Sequence, residues 1–265
     1  MIRSLTVADA PGCLALTDDR GWPYTIPRWE LLLSVAAGFG IDDPEGGLAA
    51  AVLITRYPPG LASIGTLLVA SRFGRQGLGT KLMRYAMDTA GDDTVFLAAT
   101  DHGRPLYDRL GFRALGFVRT LVGPFRPDEP DERTRPATVA EIRALDAEVF
   151  GADRSPVLDR LAGLRVIEDG GTITGYAAAR VNPGYTTIGP LFAATDADAR
   201  ALITGAAAGA GDIRAEVHES RAGLTGWLHR CGLVEHDGNE LMVLGDRELP
   251  GDRTRYYLPF LSALG

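Results

Sequence analysis

Cysteine and histidine are scarce in this chain of 265 residues, which carries 2 of the first and 4 of the second. Cys13 and Cys231 stand one in each half, too few for a disulfide framework and without metal-ligand spacing, which points to a reducing compartment. His218, His229 and His236 fall on an expected strand, helix and turn with no close ligand pairs, so no metal is expected. Positive charge is short as well. With 27 Lys and Arg against 34 Asp and Glu, the net charge of -7 leaves no excess to neutralise a phosphate backbone, and no nucleic-acid partner is expected. Long apolar runs are absent: none approaches the roughly 18 to 20 residues of a membrane span. The opening Met1-Ile2-Arg3-Ser4-Leu5-Thr6 lacks the apolar core of a signal peptide. A soluble, cytoplasmic protein is the expectation.

What is present is an ordinary globular composition, 46% hydrophobic and 23% charged, at a length better suited to two domains than one. An internal repeat supports two. Pro59-Gly60-Leu61-Ala62-Ser63-Ile64-Gly65-Thr66-Leu67-Leu68-Val69-Ala70 returns as Pro183-Gly184-Tyr185-Thr186-Thr187-Ile188-Gly189-Pro190-Leu191-Phe192-Ala193-Ala194, with six of twelve positions identical. Thr6-Val7-Ala8-Asp9 returns as Thr138-Val139-Ala140-Glu141, and Asp108-Arg109-Leu110-Gly111-Phe112 as His229-Arg230-Cys231-Gly232-Leu233, in the same order. Three matches in register indicate a tandem duplication. Prolines and alternating charge between Val122 and Arg133 break any periodicity, so the first domain is expected over 1–122, a linker over 123–135 and the second copy over 136–265.

In the first copy Thr6 is expected to cap a helix through about Leu16, with Asp9 in part of the capping-box role, and a second helix is expected over Trp29 to Ala37. Leu48 to Arg56, Ser63 to Val69 and Thr94 to Thr100 are apolar and predict strands. Leu78, Leu82, Ala86 and Ala90 recur every four residues and predict a helix starting near Gln76 or Gly77. Arg104 to Leu110 predicts a short helix and Phe112 to Leu121 a strand or strand pair, which together give an α/β fold around a mixed sheet.

The turn Gly74-Arg75-Gln76-Gly77-Leu78-Gly79 between a strand and a helix is a ready anion site, because backbone N–H groups converge at the positive end of the helix dipole and glycines let an anion approach closely. Gly-Lys-Ser/Thr is missing, which excludes a Walker loop, and no acidic residue ends the next strand as a dinucleotide ribose ligand would.

Leu67-Leu68-Val69, the turn with Gly77-Leu78-Gly79-Thr80-Lys81-Leu82, and Leu106-Tyr107-Asp108-Arg109-Leu110-Gly111-Phe112 together resemble the acetyl-CoA signature of Gcn5-related N-acetyltransferases (GNAT). Gly74 departs from the Gln or Arg of that pattern, losing a side chain but keeping the backbone amides. Asp19-Arg20-Gly21-Trp22, Phe150-Gly151-Ala152-Asp153-Arg154, Gly175-Tyr176 with Arg180, and Ile188-Gly189-Pro190-Leu191 extend the resemblance to the two-domain YitH-like acetyltransferases. The resemblance implies tandem α/β (α+β) folds, each a mixed, mostly antiparallel sheet flanked by helices, the second copy degenerate. It implies transfer of an acetyl or acyl group from acetyl-CoA to a primary amine of a small molecule, by direct attack in a ternary complex.

Under that resemblance Leu67, Leu68, Val69, Gly74, Arg75, Gln76, Gly77, Leu78, Gly79 and Thr80 hold coenzyme A, and Tyr107 matches the residue that protonates the leaving thiolate. His102 is a candidate proton acceptor; Asp101, Asp19, Trp22 and Tyr24 are candidates to line the acceptor side. Trp22 equally suits a core position. A non-catalytic acyl-CoA sensor and aminoacyl transfer from charged tRNA are the alternatives. In the second copy Ala194-Thr195-Asp196-Ala197-Asp198 replaces the Gly turn and Leu228 replaces Tyr107, so coenzyme A binding there is not expected. Asp153, Arg154 and Arg180 suit either the acceptor or a buried ion pair.

Overall fold

The computed structural model describes residues 1–127, 130–262 and 264; Asp128 and Glu129 of the expected linker, and Ala263 and Gly265 of the expected second domain, lie outside them. Two compact units are present, one of Met1–Leu97 with Leu264, the other beginning at Ala98.

In the first unit β1 (Ile2–Leu5) leads through a 3-10 turn (Val7–Asp9) into α1 (Ala10–Asp19). The capping box is present: the Asp9 carboxylate accepts from the Thr6 backbone N–H at 2.8 Å. The expected second helix is displaced. Thr25 caps α2 (Ile26–Val35) by accepting from the Arg28 N–H, Pro27 fits the first turn, and Ala37 instead opens β2 (Ala37–Asp42). Then follow β3 (Leu48–Tyr57), β4 (Leu61–Val69), α3 (Leu78–Ala90) and β5 (Thr94–Ala99). The strands are ordered β1-β2-β3-β4-β5, antiparallel except for the parallel β4–β5 pair. Leu82, Met83, Ala86 and Ala90 bury the apolar stripe of α3, and Trp29, its indole N–H donating to Thr17 Oγ1 at 3.2 Å, fills the core under α1.

The second unit holds α4 (Arg104–Arg109), β6 (Phe112–Pro124), β7 (Thr134–Pro136), α5 (Val139–Phe150), α6 (Ser155–Leu158), β8 (Arg165–Asp169), β9 (Thr172–Asn182) and β10 (Tyr185–Phe192). It continues with α7 (Asp196–Ala206), β11 (Asp212–His218), α8 (Ala222–Arg230), β12 (Val234–Leu244) and β13 (Tyr256–Leu258). Its strand order is β12-β6-β11-β10-β9-β8-β7, with β13 also on β10. Each unit is thus a mixed, mostly antiparallel sheet with helices, as expected. The sequence copies and the compact units divide differently: β6 belongs to the first copy by its repeat, yet pairs with β11 from Val118↔His218 to Pro124↔Asp212 and with β12 on its other side.

Candidate functional site

The site is laid out along β4. Opposite Val52 the strand carries two residues, Thr66 and Leu67, because the register steps from Leu53↔Gly65 to Ala51↔Leu68. At this bulge Thr66 holds φ 54°, a left-handed conformation that β-branched residues rarely adopt, and its buried hydroxyl bonds nothing among the described residues. A strained, unsatisfied threonine marks a backbone whose geometry is imposed by its surroundings. The bulge turns the main chain of Leu67 to Val69, with Leu68 buried and its two neighbours half-buried.

The parallel pairing of β4 with β5 runs Leu61↔Thr94, Ala62↔Val95, Ser63↔Phe96 and stops. Within the first unit the β4 edge from Ile64 onward therefore has no strand beside it, and an extended ligand arm can pair there by main-chain hydrogen bonds.

That edge leads into the Gly turn. Ser71–Phe73 form a 3-10 turn fixed from two sides: the Asp19 carboxylate accepts from the Ser71 N–H at 2.6 Å, and Arg72 pairs with Asp43 and Glu45. The Ser71 N–H holds the Asp19 carboxyl below the usual aspartate range. Arg75 (φ 62°) and Gly77 (φ 80°) are left-handed, and Gly77 is the N-cap of α3. Alternation of such residues with ordinary ones curls successive N–H groups into an anion nest. The first intrahelical bond is made by the Lys81 N–H to the Gly77 carbonyl, at 3.0 Å, so the amides of Leu78, Gly79 and Thr80 precede the ladder. A Cβ on Gly77 would meet nothing within 4 Å, so the cradle is open there. A groove of about 560 Å³ continues along α3 past Lys81 and Arg84, adding positive charge beside the nest. The expected start of α3 moves to Leu78 because Gly77 is left-handed.

The remaining candidates fall into separate places. Trp22 and Tyr24 form an aromatic ladder with buried Trp29, with ring centroids 5.7 Å apart at each step, and the Arg28 guanidinium lies 3.8 Å over the Tyr24 ring. Asp19 is occupied by Ser71 in this structure. Tyr107, Asp101 and His102 belong to the second unit. Tyr107 is buried on α4 against Phe112, centroids 6.0 Å apart, under a Gly103 whose Cβ would come within 2.9 Å of its ring. Burial pushes its phenol up to about 12. Asp101 and His102 are exposed in the turn before α4.

The second copy repeats the architecture with its groove filled. β10 pairs with β11 as far as Ile188↔Ala215, and past its own bulge at Gly189-Pro190 it is joined by β13, through Leu191↔Leu258 and Phe192↔Tyr256. The Ala193 N–H also donates to the Arg255 carbonyl at 3.0 Å. Pro190 stands where the first copy has Thr66, so that bulge has lost an N–H. The start of α7 is closed by side chains: Thr195 caps the Asp198 N–H, Asp198 pairs with Arg133 at 3.2 Å, and Asp196 accepts from the Tyr257 hydroxyl at 2.7 Å. Arg154 is the buried ion pair, with Nε 3.0 Å from each Asp146 carboxylate oxygen. The β13 plug, the Thr66 strain and the Asp146 partner carried no local sequence signal. Among the described residues no group of His, Cys, Asp or Glu is placed to hold a metal ion, and no helix is long and apolar enough to cross a membrane.

Comparison with known proteins follows this geometry. Residues 14–112 match the model of the acetyltransferase (GNAT) family and residues 142–258 that of an acetyltransferase (GNAT) domain. The chain is 27% identical over 268 residues to the uncharacterised N-acetyltransferase YitH of Bacillus subtilis (strain 168), covering 96% of this chain and 94% of that one. Its fold is similar to a putative acetyltransferase from Pyrococcus horikoshii (TM-score 0.82, 20% identity, 100% of this chain and 95% of that one). A GCN5-related N-acetyltransferase from Sphaerobacter thermophilus is also similar (TM-score 0.65, 21% identity, 95% and 96% covered). With both copies matched, the chain belongs to the GNAT acetyltransferase family as a tandem of two such domains.

Proposed function

We propose that the first copy, residues 1–122, transfers an acetyl or other acyl group from acetyl-CoA to the primary amine of a small molecule, and that the second, 136–265, binds no coenzyme A. One contrast carries this reading. In the first copy an unpaired β4 edge runs into an open left-handed turn at the start of α3, whereas the corresponding edge and helix of the second are occupied by β13, Asp196 and Asp198.

On this reading the main chain of Leu67 and Val69 pairs with the pantetheine arm, and a backbone N–H near Leu68 polarises the thioester carbonyl. The amides from Gly74 through Thr80, with the Arg75 charge, take the pyrophosphate. A neutral amine attacks the carbonyl, the C–S bond breaks, Tyr107 gives its proton to the thiolate, and the proton shed by the acylated nitrogen, taken by His102 or water, restores the phenol. A phenol raised by burial to about 12 keeps that proton available across the physiological range. Trp22 and Tyr24 wall the acceptor side; Asp101 and His102 sit on an exposed turn from which a proton can pass to water.

Isothermal titration of the whole protein with acetyl-CoA tests the assignment. Gly77→Glu, which puts a side chain on a left-handed backbone and a negative charge beside the phosphates, is expected to abolish binding. Unchanged affinity would overturn the cofactor site. Thiol release in the presence of a panel of amines separates transfer from sensing: binding without turnover on any amine favours the non-catalytic reading.

A further inference from the structure

Gly103 opens the turn into α4 with a backbone that does not require glycine. At φ −80° and ψ −31° it is right-handed, a conformation that alanine adopts freely and with less conformational freedom to lose on folding. The space beside it is what excludes a side chain. A Cβ built there would stand 2.9 Å from Cε2 of Tyr107 and 3.4 Å from its Cζ, one helical turn along the same face. Gly103 is itself pinned: its N–H donates to the Thr100 carbonyl at 2.9 Å and lies 3.2 Å from Thr100 Oγ1, and the Arg104 N–H donates to the same carbonyl at 2.9 Å. An added Cβ would therefore push the ring rather than the turn. The Tyr107 hydroxyl makes no hydrogen bond to any described residue, so packing of the ring alone sets where its proton lies.

The second copy provides a comparison within one chain. Helices α4 and α8 are each followed, two residues on, by a left-handed glycine, Gly111 at φ 89° and Gly232 at φ 106°. Four residues before these glycines stand Tyr107 and Leu228, and eight before them Gly103 and Leu224. The glycine and the tyrosine are thus replaced together. Leu224 and Leu228 are both fully buried, filling with two branched side chains the helix face that α4 divides between a bare α-carbon and one large ring. A glycine kept for the turn alone would have no reason to disappear with the tyrosine.

We propose, on the proton-donating reading of Tyr107 given above, that Gly103 is a positioning residue: by leaving its Cβ space empty it fixes the place from which the phenol gives its proton. Phe112, edge-on with centroids 6.0 Å apart, bounds the ring on another side, so a ring displaced by a side chain at 103 moves against a packed neighbour. Proton transfer is sensitive to such displacement, since misplacing a reacting group by about 1 Å can cost about 100-fold in rate. The size of residue 103 therefore grades the rate. Alanine shifts the ring by a few tenths of an ångström, and leucine, the residue at the matching position of the second copy, takes the space the ring now fills.

The test is a double-mutant cycle on the whole protein, with acetyl-CoA and the fastest amine of the panel as substrates. Gly103→Ala is expected to lower kcat about fivefold and Gly103→Leu about 100-fold, with acetyl-CoA affinity unchanged by calorimetry. In a Tyr107→Phe background neither is expected to cost anything further, because a residue that acts through the hydroxyl has nothing left to place. Gly103→Ala keeps the cycle open if the leucine variant fails to fold. A second readout needs no turnover: with tyrosine labelled at ζ-13C, the Tyr107 resonance, identified by its loss in Tyr107→Phe, is expected to stay protonated up to about pH 11 in the parent and to titrate earlier in Gly103→Ala, as the ring leaves its packed place. A kcat unchanged in both Gly103 variants while Tyr107→Phe lowers it, equal losses with and without the hydroxyl, or an unmoved resonance would overturn the positioning role. A kcat unchanged in Tyr107→Phe itself would instead remove the tyrosine from the chemistry, and Gly103 with it.

Discussion

Tyr107 illustrates how one buried side chain is shaped for proton donation. The phenol meets Phe112 on one side and the bare α-carbon of Gly103 on another, and burial disfavours its anion. A folded-state value raised from 10.0 to about 12 means the neutral phenol persists through pH 10 and is lost only as pH rises toward about 12. Under the proposed role, kcat is expected to show no alkaline limb with a midpoint at 10.0, where an unshifted tyrosine titrates. Tyr107→Phe is expected to lower kcat about 100-fold with acetyl-CoA affinity unchanged, as measured by steady-state kinetics beside calorimetry. An unaltered kcat would remove the tyrosine from the chemistry.

At the scale of single elements, the start of α3 is held from outside the helix. The Asp19 carboxylate at the end of α1 fixes the Ser71 N–H, three residues ahead of Gly74. The sequence makes Asp19 a candidate for the acceptor side, and in the structure its carboxylate also has a partner in the approach to the Gly turn. Asp19→Ala is expected to weaken acetyl-CoA binding about fivefold, since one net hydrogen bond contributes about 1 kcal/mol. Equal affinity in titration calorimetry would show that the turn holds its shape unaided.

Elements of this kind were largely legible in the sequence. Thr6 with Asp9 and Thr138 with Glu141 announce their caps within four residues, and the α3 stripe repeats every turn. Periodicity speaks only about neighbours in sequence. It located Gly74 to Thr80 but neither the left-handed Arg75 nor the left-handed Thr66, which sits where the pairing of β3 with β4 slips by one residue. It left Arg154 open between two roles because the deciding partner, Asp146, is one of several carboxylates on or near α5.

On the scale of the whole molecule, the information that sequence patterns lacked is long-range pairing. β13 is a strand of three residues with no alternation to mark it, yet it occupies the groove of the second copy. Its segment buries Tyr257, Leu258, Phe260 and Leu261 almost completely. At about 1.5 to 3 kcal/mol for each large apolar side chain, the four contribute about 6 to 12 kcal/mol. That is comparable with the entire stability of a typical domain. Deleting residues from Arg255 onward is therefore expected to abolish the cooperative thermal transition of the second unit, as followed by calorimetry. A retained transition at the original temperature would mean that the groove does not need its plug.

The placement of β6 between β11 and β12 also sets an order of events during synthesis. On the ribosome β6 emerges about 90 residues before β11 and about 110 before β12, which at about 5 to 20 residues per second leaves it waiting roughly 5 to 20 s. Throughout that interval both of its hydrogen-bonding edges lack the strands that will cover them, and an uncovered strand is a template for pairing with other chains. A pause in translation within the second copy lengthens the wait, so codon choice there bears on the yield of folded protein.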